Sequence, residues 1–307
     1  MQARTTRFAA AFAVGALVLA ACGSDDEESA DTTEAPAEET ETTEAAGETE
    51  TTEAAAGDDA CSNTLEDGVL TVATGEPAFF PWVIDDNPES GEGFEAAVAY
   101  AVAEEMGYGA DAVTWVRTTF DSAIQPGAKD FDVNLQQFSI TPERMETVDF
   151  SVPYFTSNQA IVALEGSAAE GATSIADLQD VKFGAQAGTT SLDFITEVIQ
   201  PSQEPFVYDD NVGAKAALEA NQIDAAVFDL PTALFVSAVE IEGSAVIGQF
   251  PADSGGTTDQ FGFVLEKDSP LTPCVDAAVQ AITDDGTLDA LTTEWLADNT
   301  GAPVITE

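Results

Sequence analysis

The sequence predicts an α/β fold with largely parallel sheets, and three observations carry that prediction. Short β-rich runs alternate with helical stretches, the connections between them are short, and the unusual polar residues gather where strands end. Residues 69–73, 113–116, 133–135, 182–185 and 225–228 read as buried strands, being short apolar runs rich in valine, phenylalanine and alanine. Residues 96–106, 192–199, 214–220, 232–239 and 275–282 carry apolar side chains at helical spacing among good helix formers. Open α/β sheets bind ligands beyond the carboxyl ends of their strands. The polar segments 76–82, 139–141 and 188–190, and Asp229, each follow a predicted strand and so fall where a site is expected. The 247 residues from Cys61 onward suffice for one large domain or two lobes, and length alone does not choose.

The start of the chain has a different character. Arg4 and Arg7 precede an apolar stretch over residues 8–19, which closes on Leu19-Ala20-Ala21-Cys22. A run this short, with a basic front and a small-residue end, reads as a secretory signal and not as a spanning helix. Leu19-Ala20-Ala21-Cys22 resembles the lipobox of bacterial lipoproteins, which implies that residues 1–22 are a signal peptide and that Cys22 is lipidated. An ordinary cleavable signal with an incidental cysteine is the alternative. Residues 23–60 then hold fifteen acidic and no basic residues, with little apolar beyond alanine. Such a segment cannot bury enough surface to offset its ordering entropy, so an acidic tether spanning roughly 35 Å is expected. The expected location is the extracytoplasmic face of the cell membrane, held through the lipid anchor only.

The formal net charge is −49, and setting the tether and signal aside still leaves 42 acidic against six basic residues. That field excludes nucleic acid and anionic lipid as partners for the folded surface. The chain has no histidine, which removes Ser-His and Cys-His catalysis and most zinc or copper sites, and no cofactor is expected. Cys61 and Cys274 are the cysteines left after Cys22, and in an oxidising compartment an isolated pair usually bonds, two free thiols being the alternative.

Among the candidate site residues, Arg144 follows Ser139-Ile140-Thr141-Pro142-Glu143 and is one of only two arginines after the signal segment. Its planar guanidinium suits a ligand carboxylate, or else an intrachain salt bridge in so acidic a protein. Gly188-Thr189-Thr190 opens a helix after a strand, where exposed amides favour an anion or where the threonines simply cap. Asp229 ends an apolar strand before Leu230-Pro231 and reads either as an acceptor for an ammonium group or as a helix cap; Glu76 has the same two readings. Phe79, Phe80, Trp82, Phe120 and Phe138 can wall an apolar pocket or belong to the core.

Taken together, several blocks resemble the amino-acid-binding proteins of ABC importers, solute-binding protein family 3. They are Gly93-Phe94-Glu95, Thr119-Phe120-Asp121, Ser139-Ile140-Thr141-Pro142-Glu143-Arg144, Val148-Asp149-Phe150-Ser151, Gly188-Thr189-Thr190, Asp224 through Asp229, and Asp285-Gly286-Thr287-Leu288 with Trp295-Leu296. The resemblance runs in order over residues 65–296. It implies a two-lobed periplasmic-binding-protein-like type II fold with two hinge strands, near residues 157–163 and 260–264. Lobe 1 is then 61–158 and 261–307, and lobe 2 is 159–260. It implies that Arg144, Ser139, Thr141, Thr189 and Thr190 hold a ligand α-carboxylate, that Asp229 with Glu76 or Gln137 holds its α-ammonium, and that Phe79 and Phe120 flank its side chain. It further implies a monomeric receptor that captures an amino acid by hinge closure and delivers it to an ABC permease, and no enzymatic activity. The rivals are a cyclohexadienyl dehydratase-like enzyme of the same fold, with Glu76 or Asp229 as general acid, and a solute-sensing surface lipoprotein. Ala97, Gln136 and Gln137 depart from the family pattern, as does the irregular Gln125-Pro126-Gly127.

Overall fold

The structure is a computed structural model that describes residues 61–250, 259–296 and 302–305. The expected signal peptide, the expected lipidation at Cys22 and the expected acidic tether fall outside these residues. The chain runs through β1 (Leu70–Thr74), α1 (Phe94–Glu105), β2 (Val113–Arg117), the short α2 (Phe120–Ile124), β3 (Val133–Asn134) and β4 (Val148–Phe150). It then passes through β5 (Phe155–Ser157) into β6 (Gln159–Leu164), β7 (Phe183–Gln186), α3 (Thr190–Phe194) and β8 (Phe206–Tyr208). After α4 (Asn211–Glu219) come β9 (Ala225–Asp229), α5 (Leu230–Phe235) and β10 (Ser244–Phe250). It returns through β11 (Asp259–Phe261) to β12 (Val264–Glu266), α6 (Thr272–Asp284) and α7 (Thr287–Trp295). Among the described residues no helix is long and apolar enough to cross a membrane.

The strands form two five-stranded sheets, in the orders β2-β1-β3-β12-β4 and β10-β6-β9-β7-β8, and β11 pairs with β5 where the chain passes between them. Neither sheet is largely parallel, contrary to the expectation from strand–helix alternation. β1 runs parallel to β2 and β3, but β12 is antiparallel to β3 and β4. In the second sheet β7 is parallel to β8 and β9, while β6 is antiparallel to β9 and β10. A parallel neighbour requires a crossover, usually helical, on its own sheet. β6 and β12 instead enter directly from the crossing pair, and so run against their neighbours.

A second difference concerns the C-terminus. The resemblance implies that all of 261–307 belongs to lobe 1, yet the described tail packs on the second sheet. Gln249 N–H donates to Pro303 O at 2.7 Å, Ile305 N–H donates to Gln249 O at 2.9 Å, and Ile305 is 3% exposed in the core of that sheet. The open edge of β10 supplies the unpaired backbone groups that attract the tail.

Period-two alternation explains the second core. In β6 and β9, Ile161, Ala163, Ala225 and Val227 face one apolar layer, while Ala160, Val162, Ala226 and Phe228 face another. Both faces are covered, so these strands read as unbroken apolar runs. In the first core, α1 sets Val98 and Val102 against Val275, Val279 and Ile282 of α6. Cys61 and Cys274 form a disulfide with a Cα–Cα distance of 5.3 Å and a sequence separation of 213, and Cys274 is buried in this same core. The bond therefore staples the first sheet's layer and does not span the two sheets.

Glu95 ties α1 to the loop after β3. It is 1% exposed and accepts from Tyr154 Oη at 2.5 Å, from Gln137 N–H at 2.7 Å and from Gln137 Nε2. Burial pushes its carboxyl up to about 7, and these donors limit the rise. The α1 start also depends on Gly93, whose φ of 103° is left-handed and whose place would put a Cβ 2.6 Å from Trp82 O.

Two predictions follow from these ties. Cys61→Ala with Cys274→Ala should lower stability by about 2–5 kcal/mol in urea unfolding, because the closed loop is long. For Glu95, the folded protein keeps its proton to about pH 7, whereas the ordinary value is 4.5. The folded state thus binds more protons over that interval, and stability falls as pH rises through it. Glu95→Gln should remove a fall on the order of 3 kcal/mol, seen as a flatter unfolding midpoint between pH 4.5 and 7.

Candidate functional site

The two sheets face each other across a cleft. One side is lined by Phe79, Phe120, Gln136, Gln137 and Arg144, and the other by Gln186, Thr189, Thr190, Ser191, Asn211, Phe228, Asp229 and Thr232. Contacts between the sides hold it closed. Trp82 Nε1 donates to Thr232 Oγ1 at 2.9 Å, Ser139 Oγ lies 3.2 Å from Thr190 Oγ1, and the rings of Phe80 and Phe235 sit 4.1 Å apart.

Arg144 opens a short helical turn whose first amide donates to Thr141 Oγ1 at 3.2 Å. It is 8% exposed, and its Nη1 donates to Ser139 O at 2.7 Å while its Nη2 donates across the cleft to Gly188 O at 2.9 Å. The ion pairs among the described residues are Arg117–Asp86, Lys215–Glu240 and Lys267–Asp149. Among these residues Arg144 therefore forms no intrachain salt bridge, the second reading that its sequence allowed. Burial lowers its basicity, and Asp259, Asp193, Asp229 and Glu143 oppose that effect from a distance. The Phe120 ring, stacked on Phe138 at 4.6 Å, has the guanidinium carbon 5.4 Å from its centroid.

Gly188 reaches Arg144 because it is left-handed (φ 68°), and a Cβ there would lie 3.0 Å from Asp121 Oδ1. Thr189 caps α3: its Oγ1 accepts from Leu192 N–H at 3.2 Å and donates to Gln186 O at 2.8 Å.

Asp229 emerges at the carboxyl end of β9. It occupies the cap position of α5 but makes no side-chain cap bond, so capping does not explain it. Gln159 Nε2 donates to Asp229 Oδ1 at 3.2 Å and to Asp259 Oδ2 at 2.5 Å, while Gln159 Oε1 accepts from Ser191 Oγ at 2.7 Å. Asp259 Oδ1 is buried and has no partner among the described residues. The Asp229 carboxyl is held well above the usual carboxylate range, first by burial and then by the charges of Asp259 and Glu95, with Arg144 pulling the other way. A cation placed at this end of the cleft would relieve that crowding.

Seven of the ten candidate residues thus come together on the cleft wall: Phe79, Phe120, Gln137, Arg144, Thr189, Thr190 and Asp229. Three do not line it. Glu76 is exposed, because the chain turns outward after β1. Ser139 and Thr141 stand behind Arg144 and orient it. Phe80, Trp82 and Phe138 lie off the wall, and Trp82 is core packed edge-on to Phe94, Phe155 and Phe261. Sequence reasoning missed Gln186, Ser191, Asn211 and Thr232 on the wall, and Gln159 and Asp259 beneath it. A glutamine closing the apolar run of β7 was a usable signal for Gln186; nothing local marks Asn211.

The profile of the bacterial extracellular solute-binding proteins, family 3, matches residues 70–298. A probable histidine-binding protein of Campylobacter jejuni is 28% identical over 201 residues, covering 65% of this chain and 74% of that one. An ancestral arginine-binding protein bound to glutamine superposes with a TM-score of 0.62 at 29% identity, covering 76% of this chain and all of that one. The ancestral amino acid-binding protein AncCDT-1, a precursor of cyclohexadienyl dehydratase, gives a TM-score of 0.60 at 30% identity, over 75% of this chain and 95% of that one. With two sheets, a crossing strand pair and this match over most of its length, the chain belongs to the bacterial extracellular solute-binding proteins of family 3.

Proposed function

We propose that this chain is the receptor of an ABC importer for an amino acid, lipid-anchored through Cys22 on the extracytoplasmic face, and that it hands its ligand to a membrane permease. The observation that carries the reading is a buried arginine that forms no ion pair among the described residues, facing the half-buried carboxylate of Asp229, which forms none either. A free α-amino acid supplies both missing charges from one carbon atom. Arg144 with the Thr189–Thr190 segment takes the carboxylate, Asp229 takes the ammonium, and Phe79 and Phe120 flank the side chain. Contributions from both sides mean that only the closed arrangement satisfies both ends of the ligand, so binding selects closure. The acidic segment 23–60 gives the trap reach from the membrane.

A dehydratase reading is less well supported, since Glu76, one of its two candidate acids, is exposed and off the cleft wall. The receptor reading is also supported by relatives named as amino-acid-binding proteins.

Calorimetry of the mature chain carrying Cys22→Ser, titrated with the common amino acids, should find at least one that binds; binding by none sinks the reading. Arg144→Ala should weaken that binding more than tenfold with an unchanged circular dichroism spectrum, because a charge-assisted contact is lost. In cells, Cys22→Ser should move the protein from the membrane fraction to the medium or periplasm, and retention on the membrane would overturn the anchor.

A further inference from the structure

The groups assigned above to the ligand's two ends, Arg144 and Asp229, are the only charged side chains on the cleft wall among the described residues. What remains for a ligand side chain is aromatic, hydroxyl and carboxamide surface. Gln136, Gln186 and Asn211 all line the cleft, and none of their side chains makes a hydrogen bond to another described residue. Gln136 Oε1 is buried outright and has no partner among the described residues. By contrast Gln137 and Gln159 spend their amides on Glu95, Asp229 and Asp259. A buried acceptor left unpaired costs free energy, so a ligand that donates to it gains specificity as well as affinity.

The charge balance at the same end rules against an ionic side chain. Asn211 opens α4, and Lys215 follows one helical turn later on the same face. Lys215 Nζ lies 4.7 Å from the Phe79 ring centroid and is clasped by both Glu240 oxygens at 2.8 Å. That pair is neutral as a unit, so it offers a counterion to neither sign. A third ligand charge brought into the closed cleft meets no further charged side chain on the wall, since Asp259 lies beneath it and is held by the Gln159 amide that also serves Asp229. A carboxamide carries two donors and an acceptor and no charge, which matches three unused amides.

We propose that the cleft selects an α-amino acid whose side chain ends in a carboxamide, the glutamine–asparagine class, over cationic and anionic side chains. The proposal rests on the amino-acid-receptor reading and specifies what that reading leaves open. Calorimetry on the mature Cys22→Ser chain compares glutamine, asparagine, arginine, lysine, glutamate and leucine under one buffer. Glutamine or asparagine is expected to bind at least tenfold more tightly than every charged amino acid and leucine. If arginine, lysine or glutamate binds as tightly, the carboxamide assignment falls while the receptor reading stands; if nothing binds, both fall. Gln186→Leu and Asn211→Leu provide the second arm. Each should lower carboxamide affinity about tenfold and leave leucine binding no weaker, and an unchanged preference in both variants overturns the assignment.

Discussion

A buried guanidinium without a carboxylate is the constraint around which the rest of the cleft is arranged. A charge at 8% exposure is sustainable only with hydrogen bonds and opposing charge nearby. Here the hydrogen bonds come from two backbone carbonyls on opposite sides, Ser139 O and Gly188 O, and the opposing charge is diffuse. Arg144 offers five N–H donors, and its bonds to Ser139 O and Gly188 O engage one on each terminal nitrogen, so donors remain for something else. On the far wall the imbalance is reversed: Asp229 and Asp259 share one glutamine amide, and among the described residues neither forms an ion pair, Arg144 acting on them only from a distance. Two opposite, separated and unbalanced charges describe the outline of a zwitterion.

The fold delivers these groups through strand ends and not through long loops. Alternation along β9 buries Ala225 to Phe228 in two layers and leaves Asp229 as the first residue free to face the cleft. β7 ends in Gln186 and is followed by a left-handed glycine that turns its carbonyl toward Arg144. On the other side, the loop after β3 is fixed by Glu95, so that Gln137, itself at a φ of 51°, is held by both its backbone and its side chain. Rigid attachment matters because hydrogen-bonding groups discriminate between ligands only when they cannot move to accommodate the wrong one.

Much of this was legible from residues alone. Apolar runs marked the principal strands, and the block 139–144 marked the arginine, because composition and period respond directly to burial. Strand direction was not legible. β6 and β12 look like any buried strand, and their antiparallel entry depends on arriving from the other sheet. The place of the tail 302–305 is not legible for a related reason: its one buried side chain, Ile305, does not say which sheet edge will cover it. The wall residues Asn211 and Thr232 were invisible because each sits at a helix start where polar residues are ordinary. Glu76 was chosen by its place after β1, and position along a strand does not reveal that the next turn points to solvent.

The balance between closed and open forms follows from the same bookkeeping of contacts. Among the described residues closure is held by one indole–hydroxyl bond, one hydroxyl pair, one ring contact, the Lys215 ammonium over the Phe79 ring and the Arg144–Gly188 bond. Net contributions of such contacts are each on the order of 1 kcal/mol. Against them, an empty closed cleft keeps Arg144 without a carboxylate and crowds Asp229 against Asp259 and Glu95, which opening to water would relieve. Gains and penalties thus oppose each other when the cleft is empty. A zwitterionic ligand removes both penalties at once and adds its own bonds only in the closed form. That differential, and not the contacts between the sides, is what would commit the proposed receptor to closure.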